Sequence, residues 1–172
     1  MSRRPYPSPG INAKALGRDP WCWIAFGFGT GLSPYAPGTL GAILGIFLAW
    51  ALKFTNLPVY GLVTGIVILA GIAITGHASR RLEAHDPPGI NLDEVAGQLV
   101  AAAMVPSEWF WLVLAFVLFR VLDILKPWPI CWIDRRLGGG LGIMADDIVA
   151  GVFAGVILWG MYSGWMAAGG LV

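Results

Sequence analysis

The sequence predicts an all-α fold, an integral membrane helical bundle with four to five membrane-embedded helices, one of them short. Three observations carry that expectation. Of 172 residues, 57% are hydrophobic and 12% charged, against roughly 25% charged in a soluble domain, and mean hydropathy is +0.72. The apolar residues fall in runs ended by Pro-containing or charged breaks. Lys and Arg collect at alternate breaks, as they do on the cytoplasmic flanks of membrane helices. The length suits one domain, and a net charge of +1 argues against a nucleic-acid partner, which would require a basic face.

Residues 1–20 form a basic, Pro-rich tail with Arg3, Arg4, Lys14 and Arg18. The tail lacks the compact apolar core and small-residue cleavage site of a signal peptide. Residues 21–172 read as a single membrane-embedded catalytic domain. Cys22 and Cys131 lie far apart with no neighbouring metal-ligand spacing, so both read as free thiols.

Residues 21–32 are apolar but interrupted by Gly27, Gly29 and Gly31, and are too short to cross a bilayer that needs about 20 residues. They read as an interfacial helix anchored by Trp21 and Trp23. The glycines are not followed by the Lys-Ser/Thr of a phosphate loop and read as close packing or a bend. Residues 33–39 break the chain and start a new helix, capped by Thr39 or Ser33. Its free amides either favour an anion or mark nothing beyond a helix start.

A first membrane helix covers residues 40–53, and a second covers 59–76 and empties into Arg80-Arg81. After the break at Pro87-Pro88, Asp93 and Glu94 open a third helix stopped by Pro106. With about a dozen residues it cannot span alone and must shelter among the others. Residues 109–125 cross back, carrying Arg120, Asp123 and Lys126 at a spacing of three, roughly along one face, before Pro127 and Pro129 stop the helix. Residues 131–140 read as a loop with Asp134, Arg135, Arg136 and three glycines. The last helix, about 143–165, starts with Asp146-Asp147.

Oriented by Lys and Arg alone, Asp86, Asp93, Glu94, Asp123, Asp146 and Asp147 all arrive at one membrane face, and Glu108 does not. Ionisable groups in a membrane bundle are read as functional by default. Carboxylates from several helices are hard oxygen ligands of the kind Mg²⁺ takes together with water and phosphate, and Mn²⁺ fits the same set. Arg and Lys beside them suit phosphate oxygens, and a metal polarises the phosphoryl group and activates water.

Each element also has a plainer explanation. Asp93-Glu94 and Asp146-Asp147 would favour a helix dipole, and Arg120 with Asp123 would make a structural ion pair. His77 and His85 read as solvated or capping groups. Gly142, Gly151 and Gly155 read as helix-contact glycines. Convergence of all the carboxylates on one face favours a shared site.

Four ordered blocks, GFGTGLSPYAPGTLG, DPPGINLDEVAGQ, FRVLDILKPWPICWIDR and GGLGIMADDIVAGV, closely resemble the phosphatidylglycerophosphatase A family over most of residues 26–153. The resemblance implies a bacterial inner-membrane, Mg²⁺-dependent lipid phosphatase converting phosphatidylglycerophosphate to phosphatidylglycerol, and the Lys and Arg orientation puts the site of this multi-pass chain on the cytoplasmic face. The resemblance also implies that Asp86, Asp93, Glu94, Asp123, Asp146 and Asp147 are the functional acids, with Arg120 and Lys126 as the basic positions. On this reading Asp86, Asp93, Glu94, Asp146 and Asp147 are the candidate metal ligands, and Asp93, Glu94, Asp123 and Asp147 the candidate catalytic acids. Arg120, Lys126, Thr39 and Ser33 are candidates for the phosphate. Direct attack by water and an aspartyl-phosphate route both stay open, as does oligomeric state. A phospholipid-pathway phosphotransferase and an ion-coupled transporter are the competing classes. The first lacks a nucleotide-binding pattern here, and the second would place charges near the middle of the helices.

Overall fold

The computed structural model describes residues 13–84 and 86–169, so Arg3 and Arg4 of the tail and His85 lie outside the described residues. Those residues form helices and turns, with no strand among them. The order is α1 (Ala13–Leu16), α2 (Pro20–Ala25), a 3-10 segment (Gly27–Leu32), α3 (Pro37–Leu52), α4 (Leu57–Arg81), α5 (Leu92–Ala103), α6 (Trp109–Leu125), α7 (Ile130–Arg136) and α8 (Gly139–Ala167).

The interfacial helix expected over residues 21–32 is instead two short pieces. Gly27, Phe28 and Gly29 take positive φ of 52°, 57° and 100°, a left-handed conformation that no continuous helix contains. The bend lets Gly31 lie against the Gly89 backbone, where a Cβ would collide with the carbonyl. Leu16, Cys22, Ala25 and Phe26 are fully buried in a core shared with α4 and α8. Residues 13–20, counted with the tail by composition, therefore pack onto the bundle.

The helix after the break begins at Pro37 and is not capped as expected. Its N-cap is Ala36 at φ 43°, with no side-chain cap. Ser33 Oγ instead donates to the Tyr35 carbonyl at 2.9 Å and accepts from the Tyr35 amide at 3.2 Å. Thr39 lies inside the first helical turn. Neither residue occupies the cap position: Ser33 lies three residues before it and Thr39 three after, and the Ala36 methyl that does occupy it has no acceptor.

α4 starts under an Asn56 cap, whose Oδ1 accepts from Val59 N at 3.0 Å. At 25 residues it is about 37 Å long, and α8 with 29 residues about 43 Å. Both are long and apolar enough to cross a membrane, whose hydrocarbon core is about 30 Å. Outward side chains are apolar along α4 (Leu62, Ile66, Leu69), α6 (Val113, Val117, Val121, Ile124) and α8 (Val152, Val156, Trp159). Helices apolar on both faces are those of a buried core or a membrane span.

Two expectations about the C-terminal third need correction. The stretch expected as a loop contains α7, and the last helix starts at Gly139, so the glycine triplet largely forms its first turn. Asp146 and Asp147 thus sit two turns inside α8. A helix-dipole explanation, which fades beyond the first turn, does not reach them.

α5 is the central strut, packed against α3, α4, α6 and α8. Val95 through Leu99 are all buried. Small residues let the backbones close up: a Cβ at Gly97 would meet the Asp147 carbonyl at 2.6 Å, and one at Gly151 would collide with the Gly97 carbonyl. Gly151 and Gly155 are thus contact glycines, against Gly97 and against Ala101 with Met104.

Candidate active site

The crossing of α5 and α8 builds the centre of the site. Asp93 precedes Gly97 by four residues and Asp147 precedes Gly151 by four, one helical turn in each case. Where the two glycine backbones touch, the turn before each therefore carries a carboxylate to meet the other. Asp93, Glu94 and Asp147 can each offer one oxygen such that the three lie within 4.8 Å of one another.

Around them is a cavity of about 390 Å³, lined by Asp86, Asp93, Glu94, Asp123, Asp134, Asp146, Asp147 and Lys126, with Pro37 and Gly38 from the start of α3. All six acids singled out from the sequence reach this one cavity. Asp134 is a seventh: expected in a loop, it lies on α7 with its half-exposed carboxylate at the cavity, paired with Lys126 eight residues before it. Gly38 makes room for Glu94, since a Cβ there would collide with Glu94 Oε1.

The cations are already engaged. Arg120 Nη1 donates to Asp123 Oδ2 at 2.5 Å and lies 3.6 Å from Glu94 Oε1. Lys126, at φ 43° in the C-cap of α6, donates to Asp134 Oδ1 at 2.7 Å and Asp146 Oδ2 at 2.5 Å. Burial disfavours its charge, but the two carboxylates outweigh that and raise its pKa, so the ammonium stays charged at physiological pH. Asp146 is thus tied to Lys126, while Asp147 joins Asp93 and Glu94.

Two expected members, and several other polar groups, lie elsewhere. Ser33 and Thr39 do not line the cavity. Arg81 Nε pairs with Asp19 at 3.3 Å, and Arg136 lies over the Trp132 ring at 5.3 Å. His77, with its side chain 42% exposed, hydrogen-bonds through Nε2 to Asp19 Oδ2 at 2.8 Å. Cys22 and Cys131 are unbridged, as expected.

Asp93 Oδ1, Glu94 Oε2 and Asp147 Oδ2 are buried and have no hydrogen-bond partner. Uncompensated buried carboxylate oxygens are costly. Lys126 lines the cavity and Arg120 does not, though it pairs with two acids that do; counting both cations against the seven acids leaves an excess of five negative charges when all are ionised. Such a site suits a hard divalent cation with oxygen ligands, and repels a phosphate dianion unless one is present.

A family model described as phosphatidylglycerophosphatase A matches residues 23–162. The chain is similar to the phosphatidylglycerophosphatase A of Escherichia coli (strain K12), 40% identical over 148 residues and 86% of each chain. It is also similar to that of Haemophilus influenzae, 36% identical over 145 residues, 83% of this chain and 88% of the relative. A third relative, from Bacteroides thetaiotaomicron and provisionally named a phosphatidylinositol-3-phosphatase, is 38% identical over 147 residues, 78% of this chain and 89% of its own. No solved structure matches the chain significantly.

Proposed function

Because the chain belongs to the phosphatidylglycerophosphatase A family and is a phosphatase on that ground, we propose that it hydrolyses phosphatidylglycerophosphate to phosphatidylglycerol and inorganic phosphate in a Mg²⁺-dependent reaction. The observation that carries the proposal is the trio of unpartnered carboxylate oxygens on Asp93, Glu94 and Asp147 in an acid-lined cavity at one end of an apolar bundle.

Asp93, Glu94 and Asp147 would hold the ion, with Asp146 and Asp86 at the cavity wall as further oxygen donors. When bound, Mg²⁺ neutralises the carboxylates, polarises the phosphoryl oxygen and favours hydroxide over water. The chain supplies the rest. Lys126 has three N–H donors and spends two on Asp134 and Asp146, leaving one for a phosphate oxygen. Arg120 spends Nη1 on Asp123 and Glu94, and its buried Nε has no partner, so the guanidinium retains donors for the same group. Water oxygen bonds to phosphorus as the ester bond breaks, and the alkoxide leaves as the glycerol hydroxyl after taking a proton.

The membrane arrangement belongs to the same proposal. α4 and α8 span, α3 and α6 embed with apolar outer faces, and α5 is the short sheltered fifth helix. Arg80, Arg81, Arg135 and Arg136 lie at the cavity end, which supports a cytoplasmic orientation in a bacterial inner membrane.

Purified protein in mixed micelles with phosphatidylglycerophosphate should release inorganic phosphate with Mg²⁺, and release should stop with chelator. Asp93→Asn or Glu94→Gln that kept full Mg²⁺-dependent release would overturn the assignment. A phosphorylated protein trapped with labelled lipid would replace direct attack by water with an aspartyl-phosphate route.

A further inference from the structure

We propose that Asp19, Cys22 and His77 form a second metal site, for a transition metal of borderline softness such as Zn²⁺, outside the acidic cavity. None of these residues lines that cavity.

Asp19 is the N-cap of α2, and Cys22 follows it by three residues, so both project from one turn. Asp19 Oδ1 accepts the Trp21 amide at 3.0 Å, which leaves Oδ2 turned toward α4, 2.8 Å from His77 Nε2. One ligand atom each from Asp19, Cys22 and His77 lie within 4.8 Å of one another. Zinc bond lengths of about 2.0–2.3 Å put neighbouring tetrahedral ligand atoms about 3.3–3.8 Å apart, so small rotamer changes would close the set. Carboxylate, thiolate and imidazole together form a zinc-type donor set, unlike the all-oxygen cavity.

Cys22 is fully buried, and the approach to the set is past His77, whose side chain is 42% exposed. An apolar cavity of about 160 Å³ lined by Trp21, Ala73, Ile74 and His77 lies on that side. Arg81 Nε, 3.3 Å from Asp19 Oδ2, occupies the position a cation would take. Its side chain is half exposed and can turn to solvent. The metal would thus replace Arg81 as the counter-charge of Asp19 and fasten α2 to the end of α4.

The experiment uses the full chain in detergent, stripped with chelator and titrated with Co²⁺. One equivalent should produce a thiolate-to-cobalt charge-transfer band with tetrahedral visible bands. The band should survive Cys131→Ser and Asp147→Asn, and vanish in Cys22→Ser and His77→Gln. In an Asp147→Asn background, which weakens the cavity site, Zn²⁺ at about one hundred times its Kd should raise Tm by about 5 °C or more, and adding Cys22→Ser should remove most of that rise. Absence of the band in the wild type, its persistence in Cys22→Ser, or its loss in Cys131→Ser overturns the site. If Cys22→Ser does not fold, His77→Gln decides by the same two readouts. Asp147→Asn separates this site from the catalytic one, since it removes a cavity carboxylate and leaves all three proposed ligands.

Discussion

At the end of the bundle where α3, α5 and α8 begin, seven carboxylates line a cavity and three of their oxygens lack partners. At the opposite end, where α3 finishes and α4 and α6 start, the polar groups are spent on backbone. Lys53 Nζ donates to the Val105 carbonyl at 2.5 Å, and Tyr60 Oη to the Leu99 carbonyl at 2.8 Å. Aromatic rings fill the rest: Trp50 stacks on Trp109 at 5.5 Å, and Trp111 meets Tyr162 at 5.2 Å and Trp165 at 6.2 Å. One end leaves carboxylates unmet; at the other the unpartnered buried side-chain atom is a neutral hydroxyl, Thr64 Oγ1. Unmet demand in a folded chain is stability given up for chemistry, so substitutions at the two ends should separate activity from stability.

The largest effect is expected at the acidic end. Asp93→Asn or Asp147→Asn should lower phosphate release about 10³-fold while Tm stays level or rises, because each substitution removes an uncompensated charge. A falling Tm with unchanged activity would invert the contrast between the ends. At the aromatic end, Trp111→Ala should cost about 3 kcal/mol of stability, read by denaturant unfolding, with kcat within about threefold of wild type at a temperature where both are folded.

Gly151→Ala tests the junction between the two regimes. It should cost about 1–3 kcal/mol through overpacking and reduce activity as well, since the crossing that sets Asp93 against Asp147 must widen. Smaller still, Asp134→Asn should reduce activity about tenfold through its partner Lys126, or about 1.4 kcal/mol in transition-state binding, visible mainly in KM if Lys126 holds phosphate.

The smallest effect concerns pH. The His77 hydrogen bond holds the Asp19 carboxyl below its usual value. A depressed acid contributes stability that is complete above its unfolded pKa and is lost as pH falls through the folded one. The Tm margin of wild type over Asp19→Asn should therefore be constant above about pH 5 and shrink below about pH 4. A margin that grew on acidification would break the pair.

Legibility in the sequence followed the same division. α6 was readable to the residue because Glu108 and the Lys126-Pro127 stop bracket a continuous apolar run. The six cavity acids were readable because charge in an apolar chain stands out. α7 and the true start of α8 were not, since Gly138–Gly140 carry a turn signal that tertiary packing overrides: Gly140 lies against α4, where a Cβ would collide with the Ile72 carbonyl. The bend at Phe28 and the Ala36 cap were hidden because non-glycine residues hold left-handed φ there. The meeting of Asp19 and Cys22 with His77 was invisible because it joins residues more than fifty positions apart.

The contact of Gly97 with Gly151 also acts as a pivot. Asp93 and Asp147 sit one turn, about 5.4 Å, on one side of it, while α8 continues for sixteen residues, about 24 Å, on the other. A tilt of α8 by about 10° about that point would move Asp147 by about 1 Å against Asp93 and the far tip of α8 by about 4 Å. The short arm carries the acid and the long arm the apolar span, so a given displacement of the far tip is about four times the one it makes between the two carboxylates.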